Sequence, residues 1–148
     1  MHEIDKKKKD RKFRLTNKTF KFPKAIDDHF YTANYFIKTM KIAQQWLPET
    51  VVTMQFFQRR NDVMVCGVDE AIALLQEFAQ NPENLKIEAV HDGDIINAYE
   101  PALKITGRYQ DFAYLESIID GILTRRTNVA TNSNDVLKAA YPTEVFSM

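Results

Sequence analysis

The chain has 148 residues, of which 45% are hydrophobic and 27% charged, enough for one domain burying about two-thirds of its unfolded surface. Ten Phe, six Tyr and a spread of Ile, Leu and Val exclude a wholly disordered chain, and four Gly and five Pro without period exclude a collagenous one. The apolar runs are too short to span a bilayer, so no membrane partner is expected. Cys66 is the single cysteine, which rules out an internal disulfide and points to a reducing, cytoplasmic setting.

The formal net charge of zero hides an asymmetry. Residues 1–24 carry ten Lys/Arg against three acids, and the rest carry ten against seventeen. The KKKKDRKFR stretch from Lys6 has no apolar segment behind it and is not a secretory signal. Residues 1–24 read as a basic, flexible, solvated arm. A nucleic-acid module would interleave aromatics with Lys/Arg on an exposed face. Here the aromatics fall on apolar stripes, and no nucleic-acid partner is expected.

In chain order, Ala33, Phe36, Ile37, Met40, Ala43 and Leu47 make a helical stripe that Pro48 stops. VVTMQFF (51–57) and Val63 to Cys66 read as strands joined by a hairpin turn at Arg59 to Asp62. A second helix opens on Asp69 and Glu70, where acids suit the positive N-terminus, and ends at Asn81 and Pro82. Alternation at Leu85 to Val90 predicts a half-buried edge strand. HDGD (91–94) reads as a turn rather than a metal loop, and two further strands follow at Ile95 to Ala98 and Ala102 to Gly107. A third helix carries Phe112, Leu115, Ile118, Ile119, Ile122 and Leu123, with Gly121 suggesting close packing. It is expected to end at Arg125 and Arg126. Thr127 to Asn134 then form a polar turn, and Asp135 to Ala140 begin another helix capped by Asn132, Ser133 or Asn134. A last strand fragment is expected at Glu144 to Phe146. Strands beside segregated helices favour an α+β fold.

Glycine-rich phosphate loops, GxSxG elbows and Cys/His metal clusters are missing from the sequence. Cys66, in an apolar run, reads as a small core residue, and Arg59 with Arg60 as a solvated turn. The chemical interest lies at Arg125 and Arg126, followed by Thr127, Thr131 and Asn132. Cations and hydrogen-bonding side chains near a helix terminus suit an anion; equally, two arginines neutralise a helix C-terminal dipole.

Three segments resemble the nicotinate phosphoribosyltransferase family: FYTANYFIKT (30–39), VVTMQFFQRRNDVMVCGVDEAIALL (51–75) and LExxxxGxLxRRTxVATN from Leu115. The resemblance spans about residues 25–140. It implies the N-terminal α/β sandwich-like domain of a type II phosphoribosyltransferase over 25–140, with 141–148 starting a C-terminal α/β barrel that this chain lacks. It further implies transfer of phosphoribose from 5-phosphoribosyl-1-diphosphate to nicotinate, giving nicotinate mononucleotide for NAD salvage. No cofactor would be held tightly, with Mg²⁺ and ATP serving the full-length enzyme, and a homodimer is implied. Arg125, Arg126, Thr127, Thr131 and Asn132 would hold the anionic substrate. Tyr31 would supply an aromatic wall, presented across the dimer interface. The alternatives are quinolinate phosphoribosyltransferase, whose substrate carries a second carboxylate, and a non-catalytic binding module. Without a barrel, the 148-residue chain is expected to be inactive alone, with Val136, Leu137, Val145 and Phe146 left exposed.

Overall fold

The computed structural model describes residues 13–146. Its elements follow the sequence pattern closely up to residue 108. Helix α1 spans Asn34–Trp46 and buries Phe36, Met40 and Ala43. Strand β1 is Val51–Phe57, β2 Val63–Met64, helix α2 Val68–Phe78, β3 Lys86–Ala89, β4 Ile95–Ile96 and β5 Pro101–Arg108. A short α3 (Tyr109–Phe112) and a 3₁₀ turn (Ala113–Leu115) lead into α4, Glu116–Ala140.

The main sheet has the order β1-β5-β3, all antiparallel. Its register aligns Val52, Met54 and Phe56 with Gly107, Ile105 and Leu103, and Ile87 and Ala89 with Ile105 and Leu103. Alternate residues point to one face, so this register puts a single apolar row inward. There it meets Leu74 and Leu75 of α2, Phe112, Leu115 and Ile119, all nearly inaccessible. β3 lies at the sheet edge, as its alternation predicts. Gly107 sits at a close approach, where an added Cβ would fall 2.4 Å from Leu85 Cδ2.

Two expectations about pairing and continuity fail. β1 does not form a hairpin with β2: it pairs with β5, while β2 pairs with β4 through Val63↔Ile96 and Met64↔Ile95. The turn at 58–62 therefore carries the chain from one sheet to the other. The polar turn expected at 127–134 is instead helix, and α4 runs unbroken through Arg125, Arg126 and the Thr/Asn/Ser cluster.

The reason is a contact invisible in local sequence. Thr127 Oγ1 accepts from Cys66 N (3.2 Å) and donates to Cys66 O (3.0 Å). Thr131 Oγ1 does the same for Met64 N (3.2 Å) and Met64 O (3.3 Å). Four residues of helix rise about 6.0 Å, and two residues of strand advance about 6.6 Å. Threonines at i and i+4 therefore match backbone groups at j and j+2. The opposite edge is paired too, with Val65 N on Asp94 O and Gly93 N on Val65 O, both 2.8 Å. The helix thus takes the place of a neighbouring strand. Hydroxyl side chains that locally favour turns are held helical by the partner they find.

The chain ends also differ from expectation. Glu144 to Phe146 form no strand. The expected solvated arm lies partly outside the described residues, over 1–12. From Arg14 onward the segment is tied down: Arg14 bonds Asp69 (2.9 Å), Ala89 O (2.8 Å) and Val90 O (3.0 Å), while Leu15 N donates to Asp69 Oδ2 (2.7 Å). Asp69 is only 4% exposed, so its carboxylate needs these donors. Among the described residues, no helix is long and apolar enough to cross a membrane.

Replacing Thr131, 6% exposed, by Val should strand the Met64 N–H and C=O beside α4, at a cost of about 1–3 kcal/mol. Thr131→Ser should recover most of the loss. Urea denaturation of the three chains checks this, and an unchanged midpoint for the Val variant would remove the contact from the account.

Candidate functional site

A cleft of about 840 Å³ opens between α4, the start of α2 and the segment from Lys21 to Tyr31. Its floor is one face of α4, from Ile118 through Gly121 and Ile122 to Arg125. Lys21, Phe22, Ile26 and Tyr31 form the facing wall. That wall is anchored at several points. Ile26 is buried in the core, Phe22 packs edge-on against Phe78 at 5.7 Å, and Thr32 Oγ1 donates to Tyr114 O at 2.9 Å. His29, at φ 55°, stacks edge-on against the Tyr114 ring at 4.8 Å. Burial pushes the Tyr114 phenol up to about 12, so it stays protonated and donates to Phe78 O.

Gly121 contributes by omission. A Cβ there would meet no atom within 4 Å, which corrects the close packing expected from the sequence: the missing side chain deepens the cleft floor. Gly67, at φ +99°, starts α2 where a Cβ would touch Ile122 Cγ2 (3.1 Å) and Arg126 Cδ (3.2 Å). That close approach seats α2 against α4 and brings Glu70 to Arg126.

The two arginines differ. Arg126 is ion-paired with Glu70, and that hydrogen bond raises its pKa further, fixing it as a cation. Arg125 lines the cleft with no protein partner among the described residues. Tyr31 is 48% exposed with its ring edge-on to Phe30 at 5.1 Å. Tyr31 and the adjacent pair Arg125 and Arg126, distant from it in sequence, therefore line one cleft. Thr127 and Thr131 do not join them, because their hydroxyl protons go to Cys66 O and Met64 O. Asn132 is exposed and lies outside the cleft lining. Sequence reading missed Lys21, submerged in the basic run, and Glu70, read only as a helix-terminal acid.

Elsewhere, Cys66 is half-buried and outside the core cluster, rather than the small core residue expected from the sequence, while the DGD stretch is a turn as expected. Burial, then the nearby Asp92 carboxylate, push the Cys66 thiol up, the opposite of nucleophile activation. At the DGD turn, Asp92 Oδ1 accepts from Val68 N (2.8 Å) and Asp94 Oδ2 from His91 N (2.7 Å). Among the described residues no three His, Cys, Asp or Glu are grouped so as to hold a metal ion.

An open guanidinium, a second cation and an exposed aromatic ring in one cleft suit a flat, anionic ring compound. Comparison with known proteins identifies the family. The family model for the N-terminal domain of quinolinate phosphoribosyl transferase matches residues 34–127, and the chain belongs to this family. Among solved structures, it is similar to nicotinate-nucleotide pyrophosphorylase from Pyrococcus furiosus at 28% identity and a TM-score of 0.70, over 82% of this chain and 31% of that one. Human nicotinic acid phosphoribosyltransferase aligns at 15% identity and a TM-score of 0.67, over 76% and 29%. The nicotinate-nucleotide pyrophosphorylase from Francisella tularensis aligns at 17% and 0.55, over 82% and 44%. The last two likenesses concern the fold alone. No curated protein sequence matches significantly. The fold is that of the N-terminal domain of type II phosphoribosyltransferases, and the chain spans about a third of the first two proteins it matches.

Gly121→Ala should stabilise the exposed helix by about 0.5–1 kcal/mol while filling part of the cleft floor. Thermal unfolding and ligand titration of the same variant separate the two effects. A destabilised variant would contradict the open space at this position.

Proposed function

We propose that this domain supplies part of the pyridine-carboxylate site of a phosphoribosyltransferase of NAD biosynthesis, with nicotinate as the acceptor. The carrying observation is that Tyr31 lines the same cleft as Arg125, which has no protein partner among the described residues. An arginine fork matches a carboxylate with two parallel, charge-assisted hydrogen bonds, and an aromatic ring offers a face for the pyridine to stack on. Glu70 neutralises Arg126, leaving Arg125 as the cleft guanidinium without a protein partner among the described residues, one fork for one carboxylate. The transfer joins the pyridine nitrogen to C1 of the ribose as diphosphate leaves. Binding residues contribute by orienting the ring so that its nitrogen faces that carbon. Lys21 and Arg125 together leave the cleft cationic, which suits anionic substrates generally. The similarity to a nicotinate-nucleotide pyrophosphorylase supports this substrate family.

A second reading is favoured by Lys21 and by the family model. With Lys21 as a second cation, the cleft would accept quinolinate, whose two carboxylates need two partners. The remaining proposals follow from exposure. Val136 and Leu137 near the end of α4 and Val145 and Phe146 beyond it, with Ile42 and Trp46 on α1, are large exposed apolar side chains. Such surface normally lies at an interface, in keeping with a barrel domain and a homodimer that complete the site. The 148-residue chain alone should then form no nicotinate mononucleotide at an enzyme-like rate.

In the complete enzyme carrying this domain, Arg125→Ala should lower kcat/KM about 10- to 100-fold, the value of a charged hydrogen bond. Stability should change by less than about 1 kcal/mol, because the side chain is exposed. Steady-state kinetics with nicotinate and with quinolinate decide between the readings. The nicotinate reading expects turnover of nicotinate that survives Lys21→Met; turnover of quinolinate alone, lost with Lys21, would replace it. Unchanged kinetics for Arg125→Ala with either acid would overturn both.

A further inference from the structure

Beyond the cleft, α4 has a second cavity on its other side. The cleft uses positions 118, 121, 122 and 125, whereas this cavity uses 120, 123, 124 and 127. An offset of two positions is about 200° around a helix, so α4 separates two distinct spaces. The cavity holds about 260 Å³. Phe56, Val63, Val65, Ile96 and Leu123, all buried, form its floor. At roughly 30 Å³ per water, it could take about nine waters, yet the floor gives them almost nothing to hydrogen-bond. Such a space favours an apolar occupant.

The rim is different. It carries Arg59, Arg60, Asn128 and Asp120. The turn bearing the arginines is anchored: Tyr99 N donates to Gln58 O at 2.8 Å, and Ala98 N to Asn61 Oδ1 at 3.1 Å. The Gln58 side chain also bonds the Arg60 backbone on both sides. Arg60 Nη2 reaches across to Asn128 Oδ1 on α4 at 3.2 Å, bridging the mouth. Arg59 has no protein partner among the described residues. Two guanidiniums against the single carboxylate of Asp120 leave the mouth cationic.

We infer that this cavity is a binding site for a small monocarboxylate with an apolar body, the body on the Phe56–Leu123 floor and the carboxylate on Arg59 and Arg60. Partial burial holds the Asp120 carboxyl above its ordinary range. It stands near the mouth as a partner for a donor on the ligand, so two sources share this chemistry: a simple aliphatic acid, and an apolar α-amino acid whose ammonium meets Asp120. The site does not depend on the function proposed for the cleft.

The test uses hexanoate and norleucine, which share a chain and differ by the ammonium group. Each is titrated into the ¹⁵N-labelled 148-residue chain and followed by amide shifts. Binding of either should move residues 56–65 and 120–128 and leave 21–31 still. Arg59→Gln, on an exposed turn, should weaken it about tenfold or more, and Ala102→Leu, at a further buried residue of the cavity lining, should block it by filling the floor. Asp120→Asn should tighten hexanoate and weaken norleucine, which tells the sources apart. Should Ala102→Leu fail to fold, Arg59→Gln still decides. The inference is overturned by an absence of saturable shifts with both probes, by shifts confined to the cleft, or by affinities that ignore Arg59→Gln and Arg60→Gln.

Discussion

The structure depends on one arrangement: two threonine hydroxyls, a helical turn apart, taking the place of a β-strand. β2 is two residues long and would otherwise expose the backbone of Met64 and Cys66 along one edge. An unpaired edge costs hydrogen bonds when buried and invites association when exposed. Thr127 and Thr131 satisfy both residues, donor and acceptor alike. The same bonds fix α4 in rotation and in register along its axis. Once that is fixed, the face carrying Gly121 and Arg125 must look towards Tyr31, and the face carrying Leu123 towards the small cavity. Placement of the candidate site is thus a consequence of closing a strand edge.

α2 forms the third side of this frame. It enters at Gly67, where a positive φ and a close approach to Ile122 both favour a residue without Cβ. Its first turn then spends two carboxylates in different directions. Asp69 turns towards the N-terminal segment and accepts Arg14 and Leu15, tying down the stretch that continues to Lys21. Glu70 turns towards α4 and occupies Arg126. Acids at a helix N-terminus gain modestly from the dipole. Here that preference is turned to organising both walls of the cleft, and it decides which of two adjacent arginines stays free.

The legible parts of the sequence were those governed by local periodicity. α1, β1, α2 and the edge position of β3 follow from their apolar spacing, and the type II phosphoribosyltransferase class from three motifs in order, although the family model that matches is that of the quinolinate enzyme's N-terminal domain. Partnerships between distant segments were not legible. VVTMQFF and Val63 to Cys66 look like a hairpin because they are adjacent, yet β1 finds its partner fifty residues on, in β5. The Thr127 to Asn134 stretch looks like a turn because its side chains compete for backbone hydrogen bonds. Its helicity comes from Met64 and Cys66, which no local window contains. Among the candidate site residues, Tyr31, Arg125 and Arg126 converge while Thr127, Thr131 and Asn132 do not. The motif TxxxT is therefore as much a packing signature as a binding one.

The most direct test is residue-resolved amide hydrogen exchange across α4 and β2. An unbroken helix locked to the strand edge predicts slow exchange from Ile119 through Thr131, and protection at Met64 and Cys66, whose amides the threonines accept. Protection should fade towards Ala140, where the helix leaves the domain. Rapid exchange from Thr127 onward, with unprotected Met64 and Cys66 amides, would mean that the helix ends at the arginines, and would contradict the account.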